Sequence, residues 1–315
     1  MGNGDYMKKT YKALLLLSLP LFVTSCVPNE NAEVSSDSSS QSGDSSSSKS
    51  SSVYSRTSYE QEVEVDGIIY SLCTNPFSYN VSSFDPEAEL TDVILPSVVE
   101  GKPVKFILQD AFYGCETLTS IKIPESVTKI EQSFVGCTSL TSVDIPSSMT
   151  SIGRNSFMAC TSLPSITIPD SVKELGKNCF YSCYSLSSIK LPSGLTSIEN
   201  NTFNGCSSLS SIYITHGVNS IGLCAFEDCS ELTSIDFPDG LTTIMDYAFE
   251  DCVNIPSFTL PRSIKEIKRY AFCSCSSLTY LGTKAEWQEI EKGENYVDFE
   301  KVSVVHCSDG DLDIL

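Results

Sequence analysis

A phenylalanine followed three positions later by a cysteine recurs at an almost constant interval through the chain. The phenylalanines are Phe112, Phe134, Phe157, Phe180, Phe203, Phe226, Phe249 and Phe272. The cysteines are Cys115, Cys137, Cys160, Cys183, Cys206, Cys229, Cys252 and Cys275. The spacing is the same throughout, except that the first interval is shorter by a single position. A fixed period of this length is typical of solenoids, in which each unit buries its apolar residues only by stacking on its neighbours.

The pattern within one unit predicts its local structure. The unit reads L-x-x-I-x-I-P-x-x-V-x-x-I-x-x-x-A-F-x-x-C-x-x. Its first part alternates apolar and polar residues, which is the period of a half-buried strand. The proline ends that strand because it cannot donate to a sheet. The second part turns back through a short extended or single-turn segment. We therefore predict a β-rich solenoid of 23-residue units with a parallel sheet along one face.

Three features of this unit resemble the BspA-like group of leucine-rich repeat proteins on bacterial surfaces. They are I-P after the strand, A-F-x-x-C at the far turn, and the 23-residue length, and the resemblance covers residues 90–307. The alanine is replaced in four units by other small residues, Ser133, Ser156, Cys179 and Thr202. The asparagine usual in leucine-rich repeats is absent from the strand-end turn. The resemblance implies adhesion to host matrix proteins or to other cells.

Both ends of the array read as caps, which a solenoid needs for solubility. Residues 61–110 are predicted to form an N-terminal cap and first half-repeat, residues 111–281 the leucine-rich repeats, and residues 282–315 a C-terminal cap. In the last segment we expect a short helix that ends at about Glu291 and a closing strand over 302–307. The run Asp309-Gly310-Asp311-Leu312-Asp313 lacks the glycine and glutamate of a calcium loop. It is interpreted as a solvated acidic tail.

The N-terminus has the organisation of an export signal. Lys8, Lys9 and Lys12 precede an apolar run over 13–23, which is too short to span a bilayer. Thr24-Ser25-Cys26 resembles the bacterial lipobox, which implies that residues 1–26 are a lipoprotein signal peptide and that Cys26 is lipidated. Residues 27–60 follow as a linker, and most positions over 35–58 are serine. Such a segment cannot offset the entropy of ordering, so we expect a disordered tether.

The composition excludes several classes of function. With 40 acidic and 20 basic residues the net charge is −20, so a nucleic-acid-binding surface is not expected. The two histidines, His216 and His306, have no nucleophile in a recognisable motif beside them. We therefore expect a protein that is not an enzyme, has no cofactor, metal or small-molecule substrate, and is exported and anchored to the cell membrane or outer membrane.

The eight repeat cysteines allow three interpretations: disulfides, a metal ladder or buried thiols. Identical positions in stacked units project in parallel, whereas a disulfide needs its Cβ atoms directed toward each other. Zinc sites use closely spaced cysteines, whereas this series has a single cysteine in each unit. We therefore expect thiols that pack as small apolar groups. Outside this series, Cys273 and Cys307 could meet where the last repeat joins the C-terminal cap, and a disulfide between them is a further hypothesis.

The exposed positions of the strands are the candidate binding surface. Lys190, Tyr213 and Asp236 share one phase in three consecutive units, and none of them is needed to fill the core. Tyrosine is enriched at binding hot spots, and the flanking charges would serve steering and register. Tyr247 and Tyr270 offer a competing surface at the far turn. The predicted function is binding of a protein or glycan at the cell surface; the alternative is an envelope component that binds glycans or proteins of its own cell.

Overall fold

The computed structural model describes residues 61–74, 77–298 and 300–314. The predicted signal peptide over 1–26, Cys26 and the linker over 27–60 therefore lie outside the described residues. Within the described part, no helix combines the length and apolar character needed to cross a bilayer.

The predicted solenoid is confirmed, and the strands before each proline form one of its faces. In these strands the middle residue points inward and its neighbours face solvent, as the burial of Ile166 between exposed Ser165 and Thr167 illustrates. The strands, numbered along the chain with those of the other segments, are β4 (Asp92–Ile94), β7 (Ser120–Lys122), β9 (Ser142–Asp144), β11 (Ser165–Thr167), β13 (Ser188–Lys190), β15 (Ile212–Tyr213), β17 (Ile235–Asp236), β19 (Ser257–Leu260) and β21 (Ser277–Tyr280). We call this the long-strand face. Its pairings are parallel and in register, and they are grouped as β4-β7-β9, β11-β13, β15-β17 and β19-β21.

A second set of parallel strands, in two hydrogen-bonded groups, lies on another face, where the sequence predicted only a short extended or single-turn segment. Each repeat contributes a short strand whose second residue is an inward apolar side chain, such as Ile198 or Ile221; in the last of these strands, from the C-terminal cap, a lysine takes that place. These strands are β8 (Lys129–Ile130), β10 (Ser151–Ile152), β12 (Glu174–Leu175), β14 (Ser197–Ile198), β16 (Ser220–Ile221), β18 (Thr243–Ile244), β20 (Glu266–Ile267) and β22 (Glu291–Lys292). Strands this short give too little alternation to be recognised in a sequence.

The third side of each unit is the turn that carries the Phe-x-x-Cys motif. The eight phenylalanine rings are buried and stack along the solenoid, with neighbouring centroids 5.2 to 5.7 Å apart. Each phenylalanine N–H donates to the carbonyl of the next unit, as Phe180 does to Thr202 at 2.9 Å. The small residue before the ring is buried, and its hydroxyl finds a local acceptor: Thr202 Oγ1 donates to the carbonyl of Glu199 at 2.7 Å. Serine and threonine therefore substitute for alanine here without an unsatisfied buried hydroxyl.

The repeat cysteines are buried and are thiols rather than disulfides, and each occupies the same place in its unit. Six of them donate to the carbonyl of the phenylalanine of the preceding unit, over 3.1 to 3.2 Å. The pairs are Cys137–Phe112, Cys160–Phe134, Cys183–Phe157, Cys206–Phe180, Cys229–Phe203 and Cys252–Phe226. Cys273 and Cys307 are also free, so the suggested disulfide between them is wrong. The Cys273 thiol instead donates to the carbonyl of Asn295 at 3.4 Å.

The N-terminal cap is a mostly antiparallel sheet that continues into the short parallel strands β8, β10 and β12. Its strands are β1 (Glu62–Val65), β2 (Ile68–Thr74), β3 (Phe77–Phe84), β5 (Val98–Val99) and β6 (Lys102–Ile107). The order is β1-β2-β3-β6-β8, so β3 and β6 join the cap to the repeats. The buried Tyr79 ring anchors this junction, and its hydroxyl donates to the Glu100 carboxylate at 2.7 Å.

The C-terminal cap has the predicted helix and closing strand, with two differences. Helix α1 covers Lys284–Gln288, shorter than expected, because Glu291–Lys292 pairs as β22. Trp287 of this helix is buried, and a capping box joins Thr283 and Glu286. The expected acidic tail is wrong: strand β24 (Gly310–Asp313) pairs antiparallel with β23 (Val304–Cys307), extending the group β19-β21-β23-β24.

Candidate binding surface

One exposed residue from each strand of the long-strand face except β21 forms a column along the repeats. Its members vary in charge and size, while the inward residues beside them stay apolar and are buried or partly buried. The column comprises Ile94, Lys122, Asp144, Thr167, Lys190, Tyr213, Asp236 and Thr259. Lys122 and Asp144 form an exposed ion pair at 3.3 Å, so two of these charges are already paired.

The three predicted binding residues all lie on this face and are exposed. Tyr213 and Asp236 are direct partners in the parallel pairing of β15 with β17. Lys190 lies in β13, which belongs to the preceding group of strands. The pKa of the Asp170 carboxyl is lowered, first by hydrogen bonds from Ser193 and to a smaller extent by the Lys190 ammonium. Along the column, Tyr213 therefore lies between the cationic Lys190 and the anionic Asp236.

Tyr213 is held in place by a residue that the sequence analysis left unassigned. Its hydroxyl lies 3.0 Å from His216 Nε2, and the two rings meet edge to face with centroids 6.0 Å apart. Both side chains are exposed, and 59% of the Tyr213 surface remains accessible. The sequence signal for this contact is the interrupted proline column, where Thr215 replaces proline directly before His216. Because the hydroxyl is anchored, the ring is presented at low entropic cost.

The competing tyrosine pair lies on the turn side. Tyr247 and Tyr270 are partly exposed, and their rings stack at 5.1 Å with an 18° interplanar angle. The Arg269 guanidinium lies 5.3 Å and 5.7 Å from the two ring centroids. The predicted shared phase of these tyrosines is therefore a direct contact, and it includes an arginine that the sequence analysis missed.

Four carboxylates lie close enough to influence one another's pKa in two consecutive turns. Glu227 and Glu250 occupy one position of the unit, and Asp228 and Asp251 occupy the next. Loss of hydration by burial, together with repulsion from the other three carboxylates, raises the pKa of Glu250 to about 7. Burial also raises the pKa of Glu227, whose carboxylate accepts a hydrogen bond from Asn204 Nδ2 at 2.7 Å. Within residues 61–74, 77–298 and 300–314, no group of three or more His, Cys, Asp and Glu side chains is arranged to hold a metal ion.

The fold defines a leucine-rich repeat solenoid, and comparisons with known proteins agree. The sequence profile of the BspA type leucine rich repeat region matches residues 81–210 and 196–296, in six copies. The chain therefore belongs to the family of BspA-type leucine-rich repeat proteins. No curated protein sequence matches it significantly.

Two solved structures illustrate the relationship. A leucine-rich repeat protein from Bacteroides ovatus shares 26% identity with a TM-score of 0.60, over 78% of this chain and 70% of that one. A protein from Faecalibacterium prausnitzii, described as a leucine rich cell surface protein, shares 20% identity with a TM-score of 0.52, over 77% of this chain and 78% of that one. The second is similar in fold alone.

Proposed function

We propose that this chain is a non-enzymatic, membrane-tethered protein of the bacterial cell surface that binds a macromolecule through its long-strand face. The main observation is Tyr213, a large aromatic residue that is exposed at a position where core packing does not constrain the choice of side chain. Its partner across the strand pair is Asp236, and its hydroxyl is positioned by His216. Tyrosine at the centre of a surface with flanking charges is typical of a hot spot, and a solenoid offers one partner several repeats at once.

The tether is proposed from the sequence and from the description of one structural neighbour. Cys26, at the end of the apolar signal, would carry the lipid, and residues 27–60 would separate the solenoid from the membrane. The Faecalibacterium protein of the same fold is described as a cell surface protein, which supports the same location here. Changing Cys26→Ser should release the mature chain from the membrane fraction or leave the precursor unprocessed, whereas Cys73→Ser should not change fractionation.

The partner is proposed to be a protein or glycan on another cell or in its matrix. The alternative is an assembly component that binds glycans or proteins of its own envelope, for which an exposed repeat surface is equally suited. A pull-down with the full-length chain carrying Cys26→Ser separates the two, using intact host cells in one arm and purified envelope of the producing bacterium in the other. Retention by host cells alone supports adhesion, and retention by envelope alone supports the assembly role.

A further inference from the structure

A second surface is suggested by one backbone position of the turn that has a left-handed conformation in every repeat. In the first five units this position carries a polar residue, mostly of the short type that tolerates positive φ. These are Asp110, Gln132, Asn155, Asn178 and Asn201, with φ between 32° and 63°. The side chains of the first four form a hydrogen-bonded ladder, in which Asn178 Nδ2 donates to Asn155 Oδ1 at 2.8 Å.

Two later units place a tyrosine at this position. Tyr247 and Tyr270 both have φ of 58°, which is unfavourable for a bulky side chain. The asparagine ladder of the earlier units shows that the turn itself does not require tyrosine. Since both tyrosines are partly exposed, burial of apolar surface does not explain them either. The two substitutions occur together with the arginine that lies against both rings, Arg269.

Arg269 is fixed in orientation, but some of the N–H donors of its guanidinium remain unused. Its guanidinium lies against the two tyrosine rings, and its Nε is 3.7 Å from Asp246 Oδ1. Half of the side chain is exposed, and within the described part of the chain neither Nη atom makes a hydrogen bond. A planar guanidinium whose outer edge is unused matches the geometry of a carboxylate or phosphate.

Neutral hydrogen-bonding groups lie next to this cation. The Tyr270 hydroxyl accepts a hydrogen bond from Asn295 Nδ2 at 3.2 Å, and its own proton has no acceptor among the described residues. We propose that Arg269 and Tyr270 form a binding site for a carboxylate carried on a sugar ring, as in a uronic acid. The guanidinium pairs with the carboxylate, and the tyrosine hydroxyl donates to an oxygen of the same sugar.

Electrostatics favours this ligand over the other anions that arginine binds. A phosphate would bring a larger negative charge close to Asp246, whose carboxylate already lies beside the guanidinium. A glutamate-rich peptide would bring comparable carboxylates but no ring hydroxyl groups, so it would leave the Tyr270 hydroxyl without a sugar oxygen to donate to. A uronic acid carries one carboxylate on each sugar, so it brings less charge close to Asp246 than a phosphate does, and its hydroxyl groups can bond to Tyr270 and Asn295.

The test uses a tri-galacturonate probe, with the carboxyl-reduced neutral trisaccharide, a glutamate tripeptide and inorganic phosphate as comparisons. Binding to the purified full-length chain with Cys26→Ser is measured by titration at low ionic strength. Arg154→Gln is the matched control for Arg269→Gln, because Arg154 occupies the equivalent position before an asparagine of the ladder. Arg269→Lys keeps the positive charge but removes the planar guanidinium that can form two parallel hydrogen bonds to a carboxylate. Tyr270→Phe removes only the hydroxyl.

We expect tri-galacturonate to bind and the neutral trisaccharide, tripeptide and phosphate to bind at least about tenfold more weakly. Arg269→Gln should abolish binding, and Arg269→Lys and Tyr270→Phe should each weaken it several-fold. Arg154→Gln and Tyr213→Ala should leave it unchanged, so that this site is tested independently of the long-strand face. No binding of tri-galacturonate, equal binding by Arg269→Gln, or preference for tripeptide or phosphate would overturn the proposal.

Discussion

The thiol of Cys183 lies 3.1 Å from the carbonyl oxygen of Phe157, one repeat earlier in the chain. That carbonyl also accepts the N–H of Cys160 within its own turn, at 3.2 Å. The thiol therefore fills a buried position as a small apolar group while it donates to the second lone pair of the oxygen. The same contact in six units explains why cysteine recurs without forming disulfides.

Removing one such thiol should destabilise the solenoid. Cys183→Ala leaves a cavity and removes one buried hydrogen bond, so we expect the free energy of unfolding to fall by about 1–3 kcal/mol. Urea denaturation followed by circular dichroism measures this change. Cys307→Ala, at a partly exposed position outside the series, is the control and should cost less. Equal effects of the two substitutions would argue against the role assigned to Cys183.

The same thiols should be unreactive in the folded protein. Burial raises the pKa of Cys183 to about 12, so almost no thiolate exists near neutral pH. Iodoacetamide should label the repeat cysteines only after unfolding in denaturant without reductant, as mapped by mass spectrometry. Recovery of these residues as disulfides, or their rapid labelling in the native state, would contradict the account.

The stacked phenylalanines should be the most sensitive core positions. The Phe180 ring lies between those of Phe157 and Phe203, with centroids at 5.6 and 5.7 Å. Phe180→Ala should therefore cost about 3–5 kcal/mol. The comparison is Phe77→Ala in the N-terminal cap, whose side chain is 61% exposed and should change stability little. A small effect at Phe180, measured by the same urea titration, would mean that the units pack less tightly than the structure indicates.

Stability should fall as the pH rises from about 5 to 7, because of Glu250. The pKa of Glu250 is raised from 4.5 to about 7 in the folded chain, so the folded state holds the proton more tightly than the unfolded state. The resulting stabilisation is complete below the unfolded value and is lost as the pH rises to the folded value. Glu250→Gln should therefore flatten the dependence of the unfolding midpoint on pH. Glu131→Gln, a partly buried carboxylate in an ion pair with Lys129, is the control.

Much of the fold is predictable because every unit repeats the same apolar positions. The phase of Phe180 and Cys183 alone places both in the core, and their counterparts follow at the same positions of the other units. The shortest strands are not predictable. Ser197–Ile198 is too short to show an alternating pattern, and only its pairing with Ser220–Ile221 makes it a strand. The left-handed backbone of Tyr247 is equally invisible, because local propensity disfavours it.

Two expectations about particular residues failed or were incomplete for physical reasons. The charge of the run that begins at Asp309 favours a solvated tail, although Asp-Gly between two short apolar runs is a hairpin signal. The contact of Tyr213 with His216 joins two residues three positions apart across a strand end. In the sequence, the only sign of this contact is the missing proline before His216. That substitution cannot be interpreted without the geometry of the turn.

The most direct test of the proposed binding surface is the affinity of Tyr213→Ala for the partner recovered by pull-down, measured by biolayer interferometry. We expect a thermal midpoint close to that of the parent chain and binding weakened by about fivefold or more. Thr167→Ala, at an exposed position of the same column, should bind like the parent chain. Unchanged affinity of Tyr213→Ala, with loss only in Tyr247→Ala and Tyr270→Ala, would contradict the account and place the interface on the turn side.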